Sequence, residues 1–287
     1  MSKIKMKIGY VLMIIGISLP LLSLTKILYT DVTSNFQYRK FINEDRGESE
    51  SYVENKIKKY NRELKYSKKT YMIDPFLNNE YNAEYDIYRK NPDRIFAYIT
   101  IPKVKIKMPI RLGASHENLD KGAAHLDKTS LPVGGIGTRS VITGHRGWYK
   151  GNMFLHINKL KKGDKVYIER KGKKLEYTVE NSEIIMPNEW DKLKPEEGKD
   201  MLTLLTCDPV ITRNPKRMLV NCKREENNYI GSFTDENLYK GADSERTEEV
   251  KEVKYMDYLL KALVAAGWLM ELILVWKIVS LKNKKYT

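Results

Sequence analysis

The hydrophobic pattern of the chain changes period several times, and each change predicts a different kind of element. From Ile8 to Thr25 eighteen residues pass without a charge, IGYVLMIIGISLPLLSLT, long enough to cross a hydrocarbon core as a helix. A second apolar run, Tyr258 to Leu281, includes Lys261, Glu271 and Lys277. The two lysines can snorkel toward opposite interfaces, leaving Glu271 deep. Apolar residues surround this helix instead of keeping to one face, which favours a span over a helix lying on the surface. Between the spans, Asp31 to about Ser67 reads as amphipathic helix, with Phe36, Tyr38, Phe41, Ile42, Tyr52, Val53, Ile57 and Tyr60 spaced among charged residues and a break near Gly47. Tyr71 to Pro92 has no period and is rich in Asn and Tyr, as expected of a long functional loop.

The rhythm then becomes that of strands. RIFAYITIP (94–102), KVKIKMPIR (103–111), RSVITGH (139–145), DKVYIER (164–170), KLEYTVENSEII (174–185), MLTLLTC (201–207) and RMLVNC (217–222) are short, β-branched and interrupted by Gly, Pro or Asn. Only short helical pieces are expected, near 116–122 and 152–160. This pattern predicts a mainly β fold, a closed or nearly closed barrel. No βαβ rhythm and no internal repeat accompany it. After Asn227 the chain turns polar and mixed in charge up to Glu252, the composition of a tether.

The resulting layout is a tail (1–7), an anchor span (8–28), a helical segment (29–70), a lid loop (71–92), a β-barrel domain (93–226), a tether (227–257), a second span (258–281) and a tail (282–287). A signal peptide competes with the first span, but no A-x-A-like cleavage site follows it, so an uncleaved anchor is expected.

The net charge of +14 invites a nucleic-acid reading until the lysines are located. Eight of those charges are Lys3, Lys5, Lys7, Lys26, Lys277, Lys282, Lys284 and Lys285, at the tails and span flanks. With no zinc-knuckle, helix-turn-helix or aromatic-glycine RNA signature, no nucleic-acid partner is expected. Lysines outside both spans place both termini in the cytoplasm and the intervening domain outside the cell membrane. In that compartment the two cysteines, Cys207 and Cys222, could form a disulfide. No cluster of His, Cys or carboxylates has ligand spacing, so neither metal nor cofactor is expected.

Cys207 closes the strand MLTLLT and is followed by Asp208 and Pro209, so its thiol sits where a ladder stops and a loop begins. Asp208, if close, would raise the thiol pKa. A nucleophilic cysteine needs an imidazole within reach and a donor for the developing oxyanion. Of the four histidines, His145 stands out in V-I-T-G-H-R-G, also at a strand end and between glycines. His116 and His156 fall in helical stretches and read as surface residues, while His125 lies in a glycine-rich loop and reads as structural. Arg217 opens a strand ten residues after Cys207, so a loop returns it beside the thiol. Its guanidinium offers fixed donors and never loses its charge. Arg139, Arg146, Arg213 and Lys216 compete by composition.

The run T-L-L-T-C resembles the signature of sortases, the membrane-anchored cysteine transpeptidases of Gram-positive bacteria, and the likeness extends over about residues 70–225. HLDKTSLPVGGIGTRSVITGHRG followed by LKKGDKVYIE, the pair of tail spans and the D-P-F loop are similar to the class C, pilin-polymerising branch. The resemblance implies a sortase-like closed barrel of about eight strands, with Cys207 as nucleophile, His145 as acid/base partner and Arg217 as stabilising arginine. It also implies a lid in which Phe76 covers the thiol and Asp74, beside Pro75, engages the thiol or the arginine. Read without it, D-P-F is simply a turn. The family usually spaces cysteine and arginine by nine residues, with Asn and His between; here the loop DPVITRNPK is one longer and lacks the histidine, which keeps Arg213 in reserve.

On this resemblance the partners are pilin or surface-protein substrates with an LPxTG-like sorting motif, cleaved at Thr through a thioacyl intermediate and passed to a lysine amine of another pilin. The oligomeric state is not legible. A housekeeping sortase anchoring proteins to peptidoglycan precursor is the alternative, followed by a non-catalytic assembly scaffold. A papain-like hydrolase does not fit, because C-G-[SA]-C-[WY] is absent and the cysteine follows the histidine. If Cys207 is the nucleophile, Cys222 is a free strand residue or at most a regulatory partner.

Overall fold

The computed structural model describes residues 3–43, 50–66, 73–77, 81, 83, 85–88, 94–147, 153–208, 216–225, 229–230 and 251–283. Strands β1 (Ala97–Ile101), β2 (Ile106–Leu112), β3 (Ala123–His125), β4 (Thr138–Thr143), β5 (Lys165–Arg170), β6 (Lys173–Ile185), β7 (Asp200–Asp208) and β8 (Lys216–Arg224) follow one another in the order β5-β1-β2-β3-β4-β7-β8-β6. A β5–β6 pairing closes the ring, and a two-residue strand, β9 (Tyr229–Ile230), adds to β6. Closure leaves no strand of the eight with an open edge. Most pairings are antiparallel, but β2–β3 and β4–β7 are parallel.

The lumen is filled by side chains of alternate residues, as the period of two requires. Ile99, Ile101, Ile110, Val166, Ile168, Val179, Leu202, Leu204, Val220 and Cys222 all belong to this buried cluster. The intervening residues of β4, β7 and β8 point outward, yet they are covered too. Val141, Leu205 and Leu219 form a second cluster with Tyr81, Leu119, Ile185 and Leu193, against which Phe76 and Trp190 pack.

Helix α1 (Lys3–Asn43) begins in the first apolar run and continues through Asp31 without interruption. The amphipathic segment expected from Asp31 thus begins within this helix, because the polar residues there change composition without supplying a breaker; the one proline, Pro20, also lies within the helix. Near its end Tyr38 and Phe41 pack on Tyr98 with ring centroids 5.1 and 4.9 Å apart. Helix α2 (Glu50–Tyr66) is amphipathic and lays Val53 and Ile57 into the barrel cluster. The expected break near Gly47 and most of the expected tether lie outside the described residues. Helix α3 (His116–Asp120) is capped by Ser115, whose hydroxyl accepts from the Asn118 amide. The stretch expected to be helical at 152–160 provides only a 3-10 turn, Ile157–Lys159.

Helix α4 (Lys251–Asn283) covers the second apolar run. Segments Ile4–Tyr29 and Lys251–Ser280 are each long and apolar enough to cross a membrane. They meet through polar groups. Ser18 donates to Glu271 Oε1 at 2.7 Å, Trp268 Nε1 donates to Thr25 Oγ1 at 3.1 Å, and Leu21 lies so close over Gly267 that a Cβ there would meet it at 2.6 Å. Glu271, the charge expected deep in the span, thus takes a hydroxyl partner.

Strand β3 has no counterpart among the expected strands, and His125, expected in a loop, ends it fully buried. Its Nε2 donates to the Ser130 carbonyl at 2.9 Å, since a carbonyl can only accept, which leaves Nδ1 to accept from Tyr85 Oη at 2.8 Å. His116 and His156, expected at the surface, are half-buried.

Burial depresses the His125 pKa to about 4 from its ordinary value of 6.5, against the raising effect of its backbone partners. The unfolded chain then binds a proton that the folded one refuses, so stability falls as the pH drops from 6.5 toward 4. At about 1.4 kcal/mol per unit, the His125 contribution to that loss is about 3 kcal/mol. Chemical denaturation across this window should show a shallower pH dependence in His125→Gln than in the unmodified protein, and parallel curves would contradict the assignment.

Candidate active site

The ladder between β7 and β8 sets Cys207 directly opposite Arg217. Both belong by parity to the outer face that carries Leu205 and Leu219, not to the lumen face that carries Leu204 and Val220. Cys207 is half-buried and free. Cys222 has the opposite parity, lies wholly inside, and pairs with Leu202 five rungs down the same ladder, about 17 Å away by strand rise. A disulfide between the two cysteines, open on sequence grounds, is excluded by both distance and direction.

His145 comes to the same end from the parallel neighbour. Thr143 of β4 is in register with Leu205, the Gly144 amide donates to the Leu205 carbonyl at 3.1 Å, and the Thr206 hydroxyl donates to the Gly144 carbonyl at 2.7 Å. The pairing thus carries His145 level with Cys207. Gly144 is required because a Cβ there would meet the Phe154 ring at 2.8 Å, while the Phe154 amide donates to the His145 carbonyl at 3.0 Å. The imidazole Nε2 lies 3.6 Å from Asp120 Oδ1 at the end of α3.

A short segment from before the barrel covers these groups. Asp74, Pro75 and Phe76 form a turn in which the Asp74 carboxylate accepts from the Phe76 amide at 2.9 Å. The same carboxylate receives Arg217, with Nε 3.0 Å and Nη2 2.8 Å from Oδ2. Arg217 is fully buried and Asp74 nearly so, a setting in which a charge must be paired. The guanidinium carbon lies 5.2 Å from the centre of the Phe76 ring, which is 6.1 Å from the His145 ring. Phe76 thus stands between arginine and imidazole. Downstream, Tyr81 hydrogen-bonds Asp127, and Tyr85 and Tyr60 stack at 5.5 Å, which ties this segment to the barrel and to α2.

The competing cations separate by position. Arg139 is buried toward the other end of β7, bonded to Thr203, Asn221 and Glu196. Lys216 is exposed at the ladder's end. Arg146 faces main chain: its Nη1 donates to the Cys207 carbonyl at 3.3 Å and pairs with the Asp208 carboxylate. Arg213 lies outside the described residues. Neither Asp120 nor this role of Arg146 was evident from sequence. Arg146 stood beside His145 in the motif, but its direction is a tertiary fact.

The thiol pKa is pushed up to about 11, first by burial and further by Asp74, against the opposing pull of Arg217 and Arg146. A covered Cys207 is therefore protonated at neutral pH. Among the described residues no cluster of His, Cys or carboxylates could hold a metal ion.

Removing the cover should reverse both raising causes. In Asp74→Ala and Phe76→Ala, alkylation of Cys207 at neutral pH should accelerate on the order of tenfold, one pKa unit of extra thiolate. Unchanged rates in both variants would mean that this segment does not shield the sulfur.

Residues 99–225 match the family model described as Sortase domain. Sortase A of Bacillus anthracis is 32% identical over 127 residues, covering 44% of this chain and 58% of that relative. The chain therefore spans little more than half the length of the curated relative it matches. Among solved structures, Sortase C-3 from Streptococcus pneumoniae is similar at 35% identity and a TM-score of 0.64, covering 74% of this chain and 97% of that one. The Group B Streptococcus Pilus Island 1 Sortase C2 is 34% identical with a TM-score of 0.54, over 62% of this chain and 99% of that one. With its closed barrel, its covered cysteine and this likeness along almost the whole length of solved sortases C, the chain belongs to the sortase family.

Proposed function

We propose that this protein is a class C sortase, a cysteine transpeptidase that joins pilin subunits. The observation that carries the reading is the fully buried Arg217, opposite Cys207 on the adjacent strand and occupied by the carboxylate of a covering segment. A charge held in this way is a ready oxyanion donor that is neutralised at rest.

In the proposed reaction the covering segment withdraws and Asp74 releases Arg217. The Cys207 sulfur, its proton passed to His145, attacks the carbonyl of the threonine in an LPxTG-like motif. Arg217 then donates to the tetrahedral oxygen. Collapse breaks the peptide bond, and the imidazolium returns the proton to the leaving amine. A thioester remains on Cys207. A lysine amine of a second pilin attacks it, giving up a proton through His145, and the thiol is regenerated. Water must be kept from the thioester meanwhile, a task suited to the apolar Phe76 if the segment folds back once the amine fragment has left.

The two apolar helices support a membrane anchor, and the lysines flanking them support an orientation with both termini in the cytoplasm and the barrel outside. The likeness to a Sortase A over the barrel favours a second reading, attachment of surface proteins to a wall precursor. The covering segment and the similarity to sortases C favour pilin joining.

Full-length protein incubated with two pilins should yield isopeptide-linked oligomers on a denaturing gel, and Cys207→Ala should yield none. A product carrying wall peptide would select the second reading. Undiminished joining by Cys207→Ala would exclude cysteine catalysis and leave a scaffold.

A further inference from the structure

Among the described residues two guanidinium groups flank Cys207, and the proposed reaction uses only one of them. Arg217 comes from β8 and is held by Asp74. Arg146 comes from the loop after β4, immediately after His145, and its side chain is only 9% exposed. It bonds the Cys207 carbonyl at 3.3 Å and pairs with the carboxylate of Asp208, the next residue of β7. Both contacts leave the same nitrogen, Nη1, so one charged donor group ties the loop to the strand end at two acceptors.

We propose that Arg146 is a positioning residue of the active site: it fastens the loop that presents His145 to the end of the strand that presents Cys207, and it keeps a positive charge beside the sulfur after Asp74 and Phe76 withdraw. This rests on the reading of Cys207 as the nucleophile. The covering segment contributes to the site only while it is closed, whereas the Arg146–Asp208 pair joins two parts of the barrel domain itself and does not depend on the cover. Without Arg146 the carboxylate of Asp208 would lose this partner, and the loop that carries His145 would lose its side-chain tie to the end of β7.

Among the described residues, the charged and titratable groups around Cys207 are Arg217 from β8, Asp74 from the covering segment, Arg146 and His145 from the loop after β4, Asp120 of α3 behind the imidazole, and Asp208 and Lys216 at the end of the ladder. Of the two guanidiniums, Arg146 alone belongs to the loop that carries His145. Removing it is therefore expected to disturb two properties together, the ionisation of the thiol and the geometry between sulfur and imidazole.

The test uses the full-length protein in detergent. It measures the rate of Cys207 alkylation by iodoacetamide against pH, with the modified residue mapped by peptide mass, and kcat and KM for cleavage of a sorting-motif peptide. In Arg146→Met the alkylation midpoint should rise by about one pH unit. Its kcat should fall about 10- to 100-fold with KM changed by less than about twofold, the signature of misplacement rather than lost binding. Arg146→Lys should restore the midpoint and most of kcat, because one ammonium can supply both the charge and the two donors that Nη1 supplies. An unshifted midpoint with wild-type kcat in Arg146→Met would overturn the proposal. Should that variant fail to fold, an unshifted midpoint with wild-type kcat in Arg146→Gln would overturn it equally. Cys207→Ala in the same peptide assay separates the two levels: continued cleavage there sinks the nucleophile itself, whereas an inactive Cys207→Ala beside an unaffected Arg146→Met removes only the role of Arg146.

Discussion

The ion pair between Asp74 and Arg217 is the constraint on which the rest of the site depends. Arg217 is fully buried, and a buried guanidinium without a partner would be costly enough to reorganise its surroundings. The chain supplies the partner from a segment more than a hundred residues upstream, on a turn whose next residues place a proline and an aromatic ring over the site. The carboxylate therefore neutralises the arginine, and by its own charge it also helps keep the nearby thiol protonated. One contact thus occupies Arg217 and raises the pKa of the Cys207 thiol, the two groups to which the proposed function gives the roles of oxyanion donor and nucleophile.

The barrel makes such an arrangement possible through parity. Side chains alternate between a packed lumen and an outer face, and Cys207, Arg217, Leu205 and Leu219 share the outer one. The candidate site thus lies on a wall with a packed interior behind it, beneath a covering segment that is not part of that interior. The same alternation sends Cys222 into the lumen, where burial raises its thiol pKa further than that of Cys207. Two cysteines on adjacent strands are chemically separated by which side of the sheet they face.

Much of the barrel could be read from the sequence because β5, β6, β7 and β8 are apolar or β-branched runs bounded by Gly, Pro or Asn. Strand β3 could not. It has only three residues, two of them alanines, and its strand character comes from parallel pairing with β2, a contact that no local pattern encodes. Whether α1 runs unbroken through Asp31 was not legible either, because a shift in composition without a breaker does not say where a helix stops. At the site, the ten-residue return from Cys207 to Arg217 was enough to place them on neighbouring strands, and the glycines around His145 marked a close approach that Phe154 does make to Gly144. The pairing of Asp74 with Arg217 was suggested only by family resemblance, since 143 residues separate the two. The direction of Arg146 and the proximity of Asp120 to His145 arise from packing alone.

The central claim is that Cys207 is the acyl-accepting nucleophile and that departure of Asp74 from Arg217 activates it. Mass spectrometry of the full-length protein and of Asp74→Ala, quenched in acid after mixing with a sorting-motif peptide, tests this most directly. The account predicts an adduct of the peptide's acyl portion on the fragment containing Cys207, accumulating faster in Asp74→Ala, with the complementary amine fragment released. Release of that fragment with no adduct on Cys207, or an adduct on another residue, would contradict it.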